Sequence, residues 1–317
     1  MSHTPAGSHH TLGAGVEFDA IRTMLRVWGA QATGIGDDAA VLQLPEGEPL
    51  VASTDATVEH VHFRRGWLTP REIGARAAAA ALSDLAAMAA TPVGLLLALG
   101  VPPAWRDDLD ELAHGVGDVA AAALCPIVGG NVSRAGELSL TITVLGTSPR
   151  PLERAGARVG DALFVTGLLG GPGAALDALL RGAVPRDVDR ARFVAPTPRI
   201  AEGRWLAERG AHAAIDISDG LVADAGHLAA ASGVRVVIDL SLLPCVDGIT
   251  PESAASSGEE YELLVAFPAD ALPDAREFRD RFGIPLTAVG HLATGQGVSL
   301  ESRGDRVDLL VGHDHLS

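Results

Sequence analysis

The chain has 317 residues, 47% of them hydrophobic and 20% charged, which is enough length and apolar content for two packed domains and excludes a disordered polymer. With 24 basic against 40 acidic residues its formal charge is −16, and no run of Lys and Arg breaks the acidity, which excludes a groove that grips nucleic acid through its phosphates. No apolar run reaches the roughly 20 residues of a membrane span, and the opening MSHTPAGSHHTLG lacks the basic-then-apolar order of a signal peptide, so a cytoplasmic protein is expected.

Residues 1–15 read as a mobile tail rich in Gly and His, followed by an amphipathic helix over 17–28. Short β-like runs come next at 38–44, 49–54, 94–101, 126–130 and 138–146. In the last of these Leu138, Leu140, Ile142 and Val144 alternate with Ser139, Thr141 and Thr143, as a half-buried antiparallel strand requires. A helix begins at Thr69 as N-cap, with Pro70 at its first position and Glu72 closing a capping box, and Pro92 ends it. A second helix spans about 105–124, its acids near the start, where the helix dipole favours anions. The stretch TSPRPLERAGARVG reads as a connector, dividing a domain over 16–148 from another over 149–317. The second half offers strands at 162–167, 213–218, 234–240 and 261–267, with helices near 174–182, 199–209, up to 231, and 270–282. Helices and strands mix without a strict βαβ rhythm, which favours two α/β sandwiches (an α+β mixture) over a barrel enzyme fold. Cys125 and Cys245 lie far apart in apolar stretches with no ligand spacing around them, and read as buried free thiols.

The acids carry the functional question, because a polyanion approaches a protein this acidic only with divalent cations between them. GIGDDAAVL places Asp37 and Asp38 before a strand, either as an ordinary turn or as a pair of diverging carboxylates. Ser53, Thr54 and Asp55 end a strand and supply hydroxyl, carbonyl and carboxylate oxygens, the donors hard Mg²⁺ prefers, unless Asp55 merely caps a turn. Asp84 sits in AAAAALSDLAAMAA, a helix apolar on every side. A bare buried carboxylate there costs several kcal/mol, so Asp84 is expected to hold a cation, or else to pair with Arg71 or Arg76. AIDISDGL puts Asp216, Ser218 and Asp219 at a strand end, where ligands of α/β sheets gather, although Asp219 also stands where a helix cap would. Glu259 and Glu260 in SSGEEYELLVAF pose a similar choice. Two Gly-rich turns, VGGNVSR and VTGLLGGPGAAL, follow strands; neither is a Walker loop, and the second opens a helix whose N-terminus could receive an anion. Arg134 and Arg154 are candidate charge partners.

Taken in this order, GIGDDAAVL, STD followed by HF, LSDLAAMAATP, VGGN near SR, TGLLGG, IDISDGL and SGEEYEL resemble the thiamine-monophosphate kinase family of the aminoimidazole ribonucleotide synthetase-like superfamily. The resemblance runs from about Glu17 to the C-terminus. It implies a homodimer of two α/β sandwich domains per chain, in which the N-terminal sheets join into a barrel and that first domain binds ATP and Mg²⁺. It implies several Mg²⁺ ions on Asp38, Ser53, Thr54, Asp55, Asp84, Asp216 and Asp219. Gly130, Asn131, Arg154 and Ser218 would contact ATP, and His62 and Glu259 the thiamine phosphate. The chain departs from the family pattern at three places. Asn131 stands where the family carries a metal-binding Asp, keeping an oxygen but losing the charge. Glu260 replaces an Asp, and Leu316 replaces an aromatic that packs on the thiamine rings.

The implied reaction needs no general base, since a phosphate monoester is already ionised near neutral pH, and none is expected among the residues. The barrier lies in bringing two anions into line, which several Mg²⁺ ions would relieve in an in-line transfer from ATP to thiamine monophosphate. Alternatives are another ATP-using reaction of the superfamily, or a nucleotide-binding homologue with reduced turnover, for which Asn131 argues. Selenide activation is disfavoured because no reactive Cys stands near the N-terminus.

Overall fold

A computed structural model describes residues 15–35 and 39–307, which divide into two units, one of residues up to 85 with 90–149 and one of 86–89 with 150 onward. Residues 1–14 of the expected tail, together with Asp37, Asp38 and Leu316, lie outside the described residues.

The first unit contains α1 (Val16–Trp28), β1 (Leu50–Val58), α2 (Pro70–Ala87), β2 (Thr91–Val101), α3 (Leu109–Ala122), β3 (Ile127–Arg134) and β4 (Ser139–Thr147). Its sheet runs β1-β4-β2-β3, antiparallel except between β2 and β3, and is open, with β1 and β3 as edges. Alternation in β4 is as read from sequence: Leu138, just ahead of the strand, and Leu140, Ile142 and Val144 are buried, on the side where Leu95, Leu97 and Leu99 of β2 are also buried. On the other side, Leu50, Ala52, Thr54 and Ala56 of β1 are exposed. The capping box forms as expected: Thr69 N donates to Glu72 Oε2 at 2.8 Å and Glu72 N to Thr69 Oγ1 at 3.3 Å. Helices α2 and α3 approach so closely that a Cβ at Gly74 would stand 2.2 Å from Leu112 O, and one at Gly115 2.0 Å from Arg71 O. That contact explains a chain rich in Gly and Ala and poor in aromatics. One expected strand fails: residues 39–44 are irregular, with Val41 85% and Leu44 42% exposed, because an apolar run becomes a strand only where a partner edge accepts it.

The second unit contains β5 (Ala162–Thr166), α4 (Gly171–Leu180), α5 (Asp187–Val194), α6 (Ile200–Glu208), β6 (Ala213–Asp216), α7 (Leu221–Ser232), β7 (Arg235–Asp239), α8 (Pro251–Ser256), β8 (Leu263–Phe267), α9 (Ala275–Phe282), β9 (Leu286–Ala293), β10 (Gly297–Ser302) and β11 (Asp305–Val307). Its sheet order is β11-β10-β7-β9-β5-β8-β6, parallel only between β7 and β10. Successive residues of β5 and β8 enter opposite cores. Leu163, Val165, Leu264 and Ala266 pack with Leu221 and Leu228 of α7, whereas Phe164, Leu263, Val265 and Phe267 pack with Trp205 of α6 and Phe278 of α9. Both faces are therefore covered, which is why these strands read as unbroken apolar runs. The short helices α5 and α8 carry no long apolar period and were not expected. Among the described residues no helix is long and apolar enough to cross a membrane. Cys125 and Cys245 are free; burial pushes the Cys125 thiol up to about 12.

Candidate functional site

In the first unit the strand alternation sorts the STD triplet. Ser53 and Asp55 are half-buried on one side of β1, and Ser53 Oγ donates to Asp84 Oδ2 near the end of α2. Asp84 is itself half-buried. Arg71, one partner expected for it, instead pairs with Asp118 of α3 at 2.6 Å. Thr54 points the other way, its hydroxyl 3.0 Å from that of Thr143, so only its main-chain carbonyl remains for a shared ligand set with Ser53 and Asp55. Asp55 Oδ1 accepts from Ala56 N at 2.7 Å. His62, in the turn after β1, accepts from Val58 N at 3.1 Å through Nδ1, which leaves Nε2 to carry the proton of the neutral ring.

Asn131 lies elsewhere in this unit. It stands in register with Ala98, Thr141 and Ala56, three strands from β1, and shares the exposed side with Thr54 rather than the side of Ser53 and Asp55. Gly130 before it cannot be replaced, since a Cβ there would fall 1.9 Å from Leu97 O. Asn131 and Arg134 line a cavity of about 780 Å³ with Arg26, Arg106, Glu17 and Asp110. Asp19 and Asp107 line it too, so three guanidinium groups stand among four carboxylates, and Arg26 lies 3.4 Å from Asp110. An anionic ligand there needs cations beside it.

In the second unit Asp216 is buried at the end of β6, and Ser218 and Asp219 are half-buried in the loop that leads to α7. Sequence reasoning missed Asp224, four residues into that helix. Its Oδ2 accepts from the main-chain N–H groups of Ser218, Asp219 and Gly220 at 3.0, 3.1 and 3.1 Å. Burial, then the charges of Asp216 and Asp219, push Asp224 up to about 7. Oxygen and nitrogen atoms of Asp219, Asp224 and His227 lie within 4.8 Å of one another. The only sequence signal for Asp224 was an acid one turn inside a helix that follows SDG.

The GEEYE segment docks against this loop. Glu259 N donates to Ser218 O at 2.7 Å and Tyr261 N to Ile217 O at 2.8 Å. Glu259 (φ 65°) and Tyr261 (φ 52°) both hold left-handed backbone, a cost of about 1–3 kcal/mol each that clusters at functional sites. Tyr261 OH donates to Glu259 Oε2 at 2.6 Å. Between them Glu260 turns inward: its Oε1 accepts from Gly170 N at 2.6 Å and Ser257 Oγ at 2.5 Å, while Oε2 is buried without a partner. Burial pushes Glu260 up to about 8 against the pull of these hydrogen bonds. Glu262, also missed from sequence, is wholly buried under the Gly-rich turn, with Arg199 forked onto it at 2.6 and 2.8 Å and Thr166 Oγ1 at 2.7 Å. Gly167 (φ +65°) must be glycine, since a Cβ would meet that carboxylate at 2.1 Å. Arg154 is exposed, its carbonyl accepting from Ser232 Oγ at 2.8 Å.

Comparison with known proteins adds to this geometry. Residues 36–148 match the AIR synthase related protein, N-terminal domain family, and residues 158–303 its C-terminal domain family. A thiamine-monophosphate kinase of Escherichia coli is 36% identical over 301 residues, covering 90% of this chain and 92% of that protein. The crystal structure of a thiamine-monophosphate kinase from Stenotrophomonas maltophilia superposes with a TM-score of 0.79 at 35% identity, over 86% of this chain and 91% of that one. A structure of AaThiL complexed with AMPPCP and TMP does so at 0.74 and 29% identity, over 92% and 96%.

Proposed function

Because the chain belongs to the AIR synthase related family and is built like its thiamine-monophosphate kinases, we propose that it transfers the terminal phosphoryl group of ATP to thiamine monophosphate, giving thiamine diphosphate and ADP. The observation that carries this is the 36% identity sustained over 90% of the chain, a span that includes the STD, DISDG and GEEYE segments. The work falls in the cytoplasm, where ATP is supplied.

Asp55 and Asp84 in the first unit, and Asp216 and Asp219 in the second, are our candidate Mg²⁺ ligands, with Ser53 fixing Asp84. Asp38, the carbonyl of Thr54 and Asn131 complete the set that the resemblance names. The donors fit a hard divalent cation, since all are oxygens. Asp224 is raised first by its burial and then by the charges of Asp216 and Asp219, and that second part is a repulsion a cation would relieve. When bound, Mg²⁺ supplies the positive charge that neutralises phosphate oxygens in a loose transition state.

The chain's own residues orient the reactants. His62 offers an Nε2–H donor to the acceptor phosphate, and Glu259, held by Tyr261, offers an anionic oxygen to the cationic thiazolium. Gly130, and the cavity lined by Asn131 and Arg134 that follows it in the chain, are candidates for ATP; the cavity is large enough for much of a nucleotide, and its carboxylates call for Mg²⁺ beside the phosphates. Arg154 and the hydroxyl of Ser218 are the remaining candidates for ATP, and Leu316 for the thiamine rings. We also assign a second copy of the chain to the exposed side of the first unit's sheet, so that two open four-stranded sheets close into one barrel.

Purified protein given ATP, Mg²⁺ and thiamine monophosphate should form thiamine diphosphate and ADP, resolved by chromatography. Folded protein that binds a non-hydrolysable ATP analogue by calorimetry yet forms no product would overturn the reading.

A further inference from the structure

A run of consecutive N–H groups converging on one point is a nest, and a nest ordinarily holds an anion such as a phosphate oxygen. The loop between β6 and α7 makes one from Ser218, Asp219 and Gly220, and the chain fills it from within: Asp224 Oδ2 takes all three N–H groups, between 3.0 and 3.1 Å. Asp224 is 2% exposed, so water does not compete for these bonds. The loop is held from its other side as well. Ser218 O and Ile217 O accept from the GEEYE segment, and Gly220 (φ +120°) backs onto Ser256, where a Cβ would stand 3.1 Å from its carbonyl. A loop fixed at both its donors and its acceptors has little freedom left.

We propose that Asp224 is the positioning residue of the DISDG loop, closing its amide nest so that the carboxylates of Asp216 and Asp219, and not the main-chain N–H groups, are what the loop presents to a ligand. This rests on the reading of Asp216 and Asp219 as Mg²⁺ ligands. It adds two things to that reading: the loop does not cradle phosphate through its backbone, and its affinity for cations depends on a residue that need not touch them. A helix N-terminus left open would attract phosphate directly. Filled by Asp224, it leaves to Mg²⁺ the task of linking phosphate to this loop.

The test has one arm that needs no metal and no activity. In metal-free protein, hydrogen exchange of the amides of residues 218–220 should be slow. It should accelerate at least about tenfold in Asp224→Ala but stay slow in Asp224→Asn, which keeps an accepting oxygen. Equal exchange in wild type and Asp224→Ala would overturn the proposal. The second arm is the Mg²⁺ concentration for half-maximal kinase activity. Outer partners of metal ligands are typically worth about 10–100-fold, so Asp224→Ala should raise it by that order, with the KM for thiamine monophosphate nearly unchanged and Asp224→Asn restoring most of the loss. Equal losses in Ala and Asn, or a rise in KM alone, would also overturn it. If Asp224→Ala does not fold, the Asn variant and wild-type exchange still decide: fast exchange in the wild type refutes the closed nest. A chain with slow exchange and no kinase activity would instead sink the functional reading.

Discussion

Ser53 Oγ on β1 donates its hydrogen bond to Asp84 Oδ2 on α2, joining a strand and a helix through residues 31 positions apart. The bond holds the Asp84 carboxylate at one orientation in the alanine-rich half of α2. Asp84→Asn keeps the shape and an acceptor for Ser53 but removes the charge, and turnover should fall at least about a hundredfold, as expected when a direct metal ligand is neutralised. Ser53→Ala should cost less, about tenfold. Thermal melts of both should stay close to wild type; near-normal kinetics in Asp84→Asn would refute its metal role.

The buried pair Arg199–Glu262 predicts a stability effect apart from chemistry. Burial alone would lower the Arg199 guanidinium, yet Glu262 and then Glu202 hold it above its usual range. Removing one partner strands the other charge, so Glu262→Leu should destabilise by about 3–5 kcal/mol, while the double change with Arg199→Met should recover most of that loss. Urea unfolding of the two single variants and the double variant measures the coupling, and additive losses would show that the charges are not interdependent.

These residues also mark where the sequence was and was not informative. The alternation of β4 and the capping box at Thr69 are local rules written in adjacent letters, and both appear as read. Asp84 stood out because a charge inside a poly-Ala helix violates composition locally. The run at 39–44 misled because strand formation depends on a partner edge, which no local pattern contains. Asp224 and Glu262 were illegible for the opposite reason, and Glu260 was flagged without its inward turn being foreseen. Each looks like an ordinary surface acid in its own segment, and its burial is set by residues 4–96 positions away, from Gly220 to Thr166. The site residues themselves were legible mainly through motif resemblance, because single Asp and Ser residues at strand ends have ordinary structural uses as well.

Glu260 gives a pH prediction. Its carboxyl lies at about 8 in the fold against an ordinary 4.5, so the fold favours the neutral form. That contribution is fully present below 4.5 and is lost as pH rises towards about 8, at up to about 1.4 kcal/mol per pH unit. Glu260→Gln, neutral throughout, should therefore gain stability relative to wild type between pH 5 and pH 8.5 on that scale. Denaturant midpoints that run parallel across this range would refute the shift.

The exposed side of β1 predicts an oligomeric outcome. In a lone chain Ala52 and Ala56 face solvent, so arginine there is hydrated and leaves the fold intact. Covered by a second copy, the same arginines would be desolvated without partners, at a cost of several kcal/mol. Wild-type protein should sediment as a dimer, and the doubly substituted Ala52→Arg, Ala56→Arg protein as a folded monomer. A dimer that survives both changes must use another surface.

Asn131 is the position where this chain differs most from the resemblance that identifies its family, and reversing the difference is the informative change. Its amide oxygen can approach a cation only as a neutral donor, whereas a carboxylate adds a full charge beside the guanidinium groups of Arg134 and Arg106. If a cation accompanies ATP into this cavity, Asn131→Asp should lower the Mg²⁺ concentration for half-maximal activity about tenfold. If instead the cavity takes the phosphates on its arginines alone, the new carboxylate repels them, and the KM for ATP should rise while the Mg²⁺ dependence stays put. Titrating each variant with Mg²⁺ at fixed ATP, and then with ATP at saturating Mg²⁺, separates the two, and the direction of the shift states whether asparagine here has relaxed a metal contact or replaced one.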